Sequence, residues 1–243
     1  MIRAGIAPLA SRLFTAFLAA LTGALLLASC STFSSGAAGP EERSAAPSTT
    51  SGNLSRVQQK LIEGAEQFVR TGDLTARGRS FASDCTGTVL AIYWYAGIDL
   101  VSPLSRYSGN GVKRLHSYLQ DLNLIYSSRY PSPGDIIFWD NTYDRNGDGH
   151  VNDPYTHAGM VLSVAKDGTI EYVHYNYRRG VVTARMNLLQ PHVYTVERNG
   201  NRIILNSPMR MKGAPASDNT LASELLRSFG KGYRIPRDLS QAP

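Results

Sequence analysis

Cysteine is scarce in this chain, with two in 243 residues. Cys30 closes the run Leu27-Ala28-Ser29-Cys30 after an apolar N-terminal segment, and Cys85 stands in Asp84-Cys85-Thr86-Gly87 before a second apolar stretch. If a lipid consumes the first thiol, the second has no disulfide partner in its own chain. The first 29 residues contain no acidic residue, only Arg3, Arg12 and an apolar run from Leu13 to Ala28. That run is short for a membrane span, which argues against a plain transmembrane anchor. No basic cluster interleaved with aromatics stands out, and this excludes nucleic-acid binding as the reading of a formal charge of +6. No internal repeat is visible.

What is present at the N-terminus fits an export signal, residues 1–29. Small residues at Ala28 and Ser29 suit a lipoprotein signal peptidase, so Cys30 is expected to become the acylated first residue of the mature chain. Its acyl chains would give the stable anchoring that one chain does not. Loss of Arg3 and Arg12 brings the formal charge from +6 to +4, a mild bias that suits anionic envelope polymers or lipids. Residues 30–54, rich in Ser, Ala, Gly, Thr and Pro, read as a flexible tether. Ser31 after the lipid cysteine favours the outer membrane if the cell has two membranes.

The rest divides into helices followed by strands. Ser55 is a candidate N-cap for a helix carrying Val57, Leu61, Ile62, Ala65, Phe68 and Val69, and Gly72 ends it. A second helix, Thr86 to Tyr95, is apolar nearly all round and so is expected in the core. A third covers Gly111 to Leu122. Strands are expected at Ile136–Trp139, His157–Ala165, Thr169–Tyr177, Val181–Met186, His192–Val196 and Arg202–Leu205, the second and third joined through Lys166-Asp167-Gly168. The pattern predicts an α+β domain over residues 55–212. Residues 213–243 read as an extension with one weak helix, Asn219 to Phe229.

Cys85 opens a helix, where the macrodipole and unpaired backbone donors favour a thiolate and can hold an oxyanion. Asp84 is a candidate N-cap, and Gly87, beside Thr86, allows a substrate close to the backbone. Against an inert buried cysteine stand the histidines. His157 heads an apolar strand, and His174 lies on the returning strand, followed by Asn176. A base needs a second group to fix its tautomer. A two-residue turn puts His157, His174 and Asn176 on one face, a three-residue turn does not, and a bulge repairs either case.

Asp84-Cys85-Thr86-Gly87, then Pro133-Gly134-Asp135-Ile136-Ile137-Phe138, then His157-Ala158-Gly159-Met160-Val161 together resemble the NlpC-type papain-like cell-wall peptidases. The stretch Tyr172 to Tyr177 is similar to the related CHAP amidohydrolases, which carry Glu-x-Asn where this chain has His174-Tyr175-Asn176. The resemblance covers roughly residues 55 to 206. It implies a papain-like fold, with N-terminal helices packed on an antiparallel sheet, and it implies Cys85 as nucleophile, His157 as general base and His174 as the orienting third residue, with Asn176 in reserve. The Tyr-x-Trp-Gly-Gly segment usual upstream of the cysteine is missing; Phe81 is the candidate to fill its space.

Asp144, Asn146, Asp148 and Asn152, with His150 among them and Gly149 at position six, match the start of an EF-hand-type loop and make it a structural calcium candidate. The bidentate glutamate expected at position twelve is replaced by Tyr155. His116 reads as a helix-surface residue and His192 as a strand or loop residue, neither with a partner that can be named. Tyr172, Tyr175 and Tyr177 are candidate cleft residues, with ordinary packing as the competing account. The expected function is a lipid-anchored, monomeric envelope cysteine hydrolase that cleaves an amide bond in peptidoglycan stem peptides and needs no cofactor for catalysis. The alternatives are acyl transfer or amidase action on another substrate, or a tethered wall-binding module without catalysis.

Overall fold

Ser55 caps the first helix in a reciprocal box: its hydroxyl accepts from the Gln58 N–H while the Gln58 side chain takes the Ser55 N–H. In the computed structural model, which describes residues 54–240, this helix, α1, runs Arg56–Thr71 and buries Leu61, Gly64, Ala65 and Phe68. Gly72 ends it with φ 70°, its N–H bonding the Phe68 carbonyl. The expected signal segment, Cys30 and nearly all of the tether lie outside the described residues. No described helix is long and apolar enough to cross a membrane.

After a small hairpin, β1 (Thr75–Ala76) and β2 (Arg79–Ser80), comes α2, Cys85–Tyr95, buried on nearly every side as its composition requires. Helix α3, Gly111–Asp121, is capped by Asn110. His116 is not on its surface. It is 6 % exposed and wedged between the rings of Phe138 and Tyr155, with centroids at 5.0 and 4.9 Å. Its position four residues after Val112 and three before Leu119 puts it on the buried stripe.

The strands follow in chain order: β3 (Ile125–Tyr126), β4 (Ile136–Trp139), β5 (His157–Val164), β6 (Thr169–Asn176), β7 (Gly180–Asn187), β8 (Thr195–Arg198), β9 (Asn201–Ile204) and β10 (Leu226–Gly230). Six form one antiparallel sheet in the order β3-β10-β4-β5-β6-β7, and β8 and β9 make a separate hairpin. The α+β expectation holds. Alternation divides the sheet's residues between two cores. Ile136, Phe138, Ala158 and Met160 meet the helices, while Ile137, Trp139, Val161 and Tyr172 belong to a second core.

The expected C-terminal helix is not formed. Residues 221–225 turn, and Leu226–Gly230 becomes an inner strand, hydrogen-bonded to β3 on one side and β4 on the other. Leu221, Leu225 and Phe229 have helical spacing, but the strand gains two ladders, and Phe229, Ala222 and Leu225 still pack into the second core. The Trp139 indole N–H donates to the Ala222 carbonyl at 2.7 Å. Residues 222–230 are therefore built into the sheet and the second core rather than into an extension.

Candidate active site

Cys85 is the first residue of α2, placed by the turn before it. Asp84 has extended backbone geometry and its Oδ1 accepts the Gly87 N–H at 2.7 Å. That bond engages the Gly87 donor, so Gly87 is not free to hold an oxyanion. The glycine is required for a different reason than substrate approach: a Cβ there would lie 2.0 Å from the Ala82 carbonyl oxygen. The N–H groups of Cys85 and Thr86 have no intrahelical partner. Thr86 also packs its side chain against Gly111, at the start of α3.

His157 and His174 come together through a compensated register. The β5–β6 connection is a three-residue turn closed by Ala165 and Thr169, which alone would put the two histidines on opposite faces. A bulge between Val161 and Ser163 takes up one residue, and beyond it Gly159 pairs with His174. Both histidines then share a face, and His157 Nε2 lies 2.9 Å from His174 Nδ1. The rings of Trp139 and Tyr172 wall this pair, with centroids at 5.6 Å from His157 and 5.4 Å from His174. Asn176 shares the strand but not the bond: its Oδ1 accepts the N–H groups of Arg178 and Arg179 and closes the next turn.

Cys85, His157 and His174 line one cavity of about 490 Å³. The Cys85 sulfur faces the start of β5, where the Ala158 backbone acts to lower its thiol. Burial pushes its thiol above the ordinary value, ahead of the lowering by Ala158 and Thr86 and with a further rise from the Asp84 charge. Helix-start activation is thus outweighed by desolvation. Burial also holds His157 well below the ordinary imidazole value, with His174 adding to the effect. His174 is lowered to about 4 by burial and by the charge of Arg179. At rest the site is a neutral thiol beside neutral imidazoles, not an ion pair.

Comparison with known proteins bears on this arrangement. Residues 75–176, from β1 through the last residue of β6, match the CHAP domain family model. Proteins of the CHAP family are generally peptidoglycan amidases or peptidases. A solved structure of an NlpC/P60 family protein from Bacillus cereus is similar at 19% identity and a TM-score of 0.36, covering 72% of this chain and 39% of that one. The chain thus spans less than half the length of that protein. No curated protein matches.

Several residues that line the cavity lie outside the sequence motifs. Tyr143, from the loop after β4, lines the cavity together with Cys85, and burial raises its hydroxyl above the ordinary value. Pro208 to Lys212 form another part of the lining. This segment is tied down by the Met211 N–H to the Thr142 carbonyl at 2.8 Å and the Met209 N–H to the Thr220 carbonyl at 2.8 Å. Nothing in its local pattern announces a site; it gets there because β10 carries the chain back through the sheet. Phe81 is not among the cavity's lining residues but packs edge-on against Trp94 at 6.1 Å. Tyr175 and Tyr177 line the cavity, and Tyr172 is buried. His192 has a partner after all, Glu224, at 2.9 Å.

The loop at 144–152 closes on itself. Asp144 accepts the N–H groups of Gly147 and Gly149, and Asp148 accepts from His150, Asn146 and Asn152. His150 is exposed. Among the described residues no group of three or more His, Cys, Asp or Glu side chains is gathered as a metal site. For a hard cation to be held, the Asn146 and Asn152 amides would have to turn oxygen rather than NH₂ toward Asp148.

Proposed function

We propose that this domain is a CHAP-type hydrolase that cleaves an amide bond in peptidoglycan stem peptides, with Cys85 as nucleophile, His157 as general base and His174 as the residue that orients it. The observation that carries this reading is the 2.9 Å bond from His157 Nε2 to His174 Nδ1 at a cavity that Cys85 also lines. If His157 carries its proton on Nε2 and donates it to His174, its Nδ1 is left unprotonated to accept the thiol proton. As the sulfur attacks the carbonyl carbon, the proton passes to His157, and the developing oxyanion meets the Cys85 N–H at the start of α2. The departing amine takes that proton. Water, deprotonated by His157, then attacks the thioester and releases the acid and the thiol. Proton transfer coupled to attack suits a site that rests as two neutral groups.

Two finer readings belong to the same proposal and rest on the sequence. Cys30 anchors the chain to an envelope membrane through lipid, and the loop from Asp144 to Asn152 takes a structural calcium ion. The hydrolase reading is tested by incubating purified peptidoglycan with the full chain in detergent and with its Cys85→Ala variant. Release of new amino groups by the wild type alone is expected. Identical products from both would sink it. For the loop, a rise in melting temperature on adding calcium but not magnesium is expected, and an unchanged transition refutes the calcium reading.

A further inference from the structure

Three of the described arginines and lysines stand within 4.0 Å of a carboxylate. Arg198 and Arg227 form close ion pairs with Asp167 and Asp140, and Arg145 has Asp153 at 3.9 Å. Among the others, Arg178, Arg179, Arg210 and Lys212 converge on the cavity, and none of the four has a carboxylate partner among the described residues. The single acidic lining residue, Asp84, is engaged with the Gly87 N–H. Burial lowers both histidines, so they add no positive charge of their own near pH 7.

The cations come from two separate segments. Arg178 and Arg179 sit on the β6–β7 turn that Asn176 closes, and the Arg178 guanidinium lies 5.2 Å from the centre of the Tyr177 ring. Arg210 and Lys212 come from the returning C-terminal segment. The Arg210 guanidinium donates to the carbonyls of Asn141 and Pro215, the latter at 2.6 Å. Those bonds fix its position without neutralising its charge. Arg179 is near enough to lower the His174 pKa, so its field reaches the reacting groups. Pro208, Met209 and Tyr175 supply less polar walls that concentrate such a field.

We propose that these four cations form an anion subsite, and that the enzyme selects substrates bearing a free carboxylate beside the scissile amide over the same substrates with that group as a carboxamide. This rests on the hydrolase reading for the reaction, and on the cavity alone for the binding. Guanidinium groups bind carboxylates through charge-assisted, often paired hydrogen bonds that a neutral amide does not reproduce. The partly exposed setting limits the effect through screening. A preference of about tenfold in kcat/KM is expected.

The test uses two synthetic muropeptide stems that differ at one group, the D-glutamate α-carboxyl, free in one and amidated in the other. Each is given to the full chain in detergent, to the double variant Arg178→Gln/Arg179→Gln, to Lys212→Gln, and to Lys60→Gln as a control on the exposed side of α1. The wild type and Lys60→Gln are expected to prefer the free carboxylate about tenfold, and the double variant to lose most of that preference while still cleaving the amidated stem. Raised salt should erode the wild-type preference in parallel. Equal cleavage of the two stems by the wild type overturns the subsite and leaves the hydrolase reading standing. If neither stem is cleaved, the hydrolase reading fails for them, and calorimetric binding to Cys85→Ala decides the subsite: tighter binding of the carboxylate stem, lost in the arginine variants, supports it, and equal or absent binding overturns it.

Discussion

Replacing His116 by Phe should make the protein markedly less sensitive to mild acid. His116 is enclosed by Phe138 and Tyr155, its Nδ1 is buried without a partner, and burial with the nearby Arg227 charge lowers it from 6.5 to about 4, against a smaller opposing pull from Asp140. The unfolded chain takes up a proton here as pH falls below 6.5, while the folded chain resists until about 4. Stability is therefore lost as pH falls through that window. Between about pH 7 and about pH 4.5 the loss attributable to this one group comes to about 2 kcal/mol. His174, also lowered to about 4, acts in the same sense. Asp135, raised to about 6 by burial, acts in the opposite sense, since its uncharged form is favoured in the fold. The raw acid response of the wild type is a sum of such effects, so the informative quantity is a difference. Urea unfolding at both pH values, for wild type and His116→Phe, should show the variant losing about 2 kcal/mol less on acidification. A constant packing cost from the larger ring cancels in that comparison. Parallel stability curves for the two proteins would refute the reasoning.

Two further outcomes follow from the site's construction. Because burial raises the Cys85 thiol, iodoacetamide should label it more slowly than a free cysteine peptide near neutral pH, with the rate still climbing above about pH 9; a plateau already reached below neutrality would show a preformed thiolate instead. Gly87→Ala should destabilise the fold by about 3 kcal/mol or more in urea unfolding, since the added carbon meets the Ala82 carbonyl at 2.0 Å, and a loss below about 1 kcal/mol would show that the turn before Cys85 yields easily.

Legibility from sequence followed the range of the interactions involved. Helix α1, with Ser55, Gln58 and Gly72 at its ends, is decided by neighbours three or four residues apart and was readable to within a residue. The α2 start at Cys85 and most of the large sheet's strands were readable for similar reasons. The relation of His157 to His174 was not, because it depends on where the bulge near Leu162 falls, and one residue there inverts a face. His116 had a buried helical spacing that its polarity concealed. The misread segment, Asn219 to Phe229, shows the opposite failure: a local periodicity was genuine, but pairing with β3 and β4, which lie some ninety to a hundred residues earlier, overrode it. The basic walls of the cavity are likewise a product of that long-range closure, since Arg210 and Lys212 are far in sequence from Cys85.

The placement of β10 has a consequence in time. The strand that joins β3 to β4 is contributed by residues 226–230, near the end of the 243-residue chain. A nascent or partly threaded chain that has not yet released those residues has β3 and β4 without the strand that lies between them, and the apolar side of Ile137 and Trp139 lacks its cover from Phe229, Ala222 and Leu225. Pairings of such long sequence separation come late in folding. The wall formed by Pro208 to Lys212 depends on the same event. A protein built this way completes its cleft only once residues 226–230 are available, so a copy lacking them would be born without a working mouth.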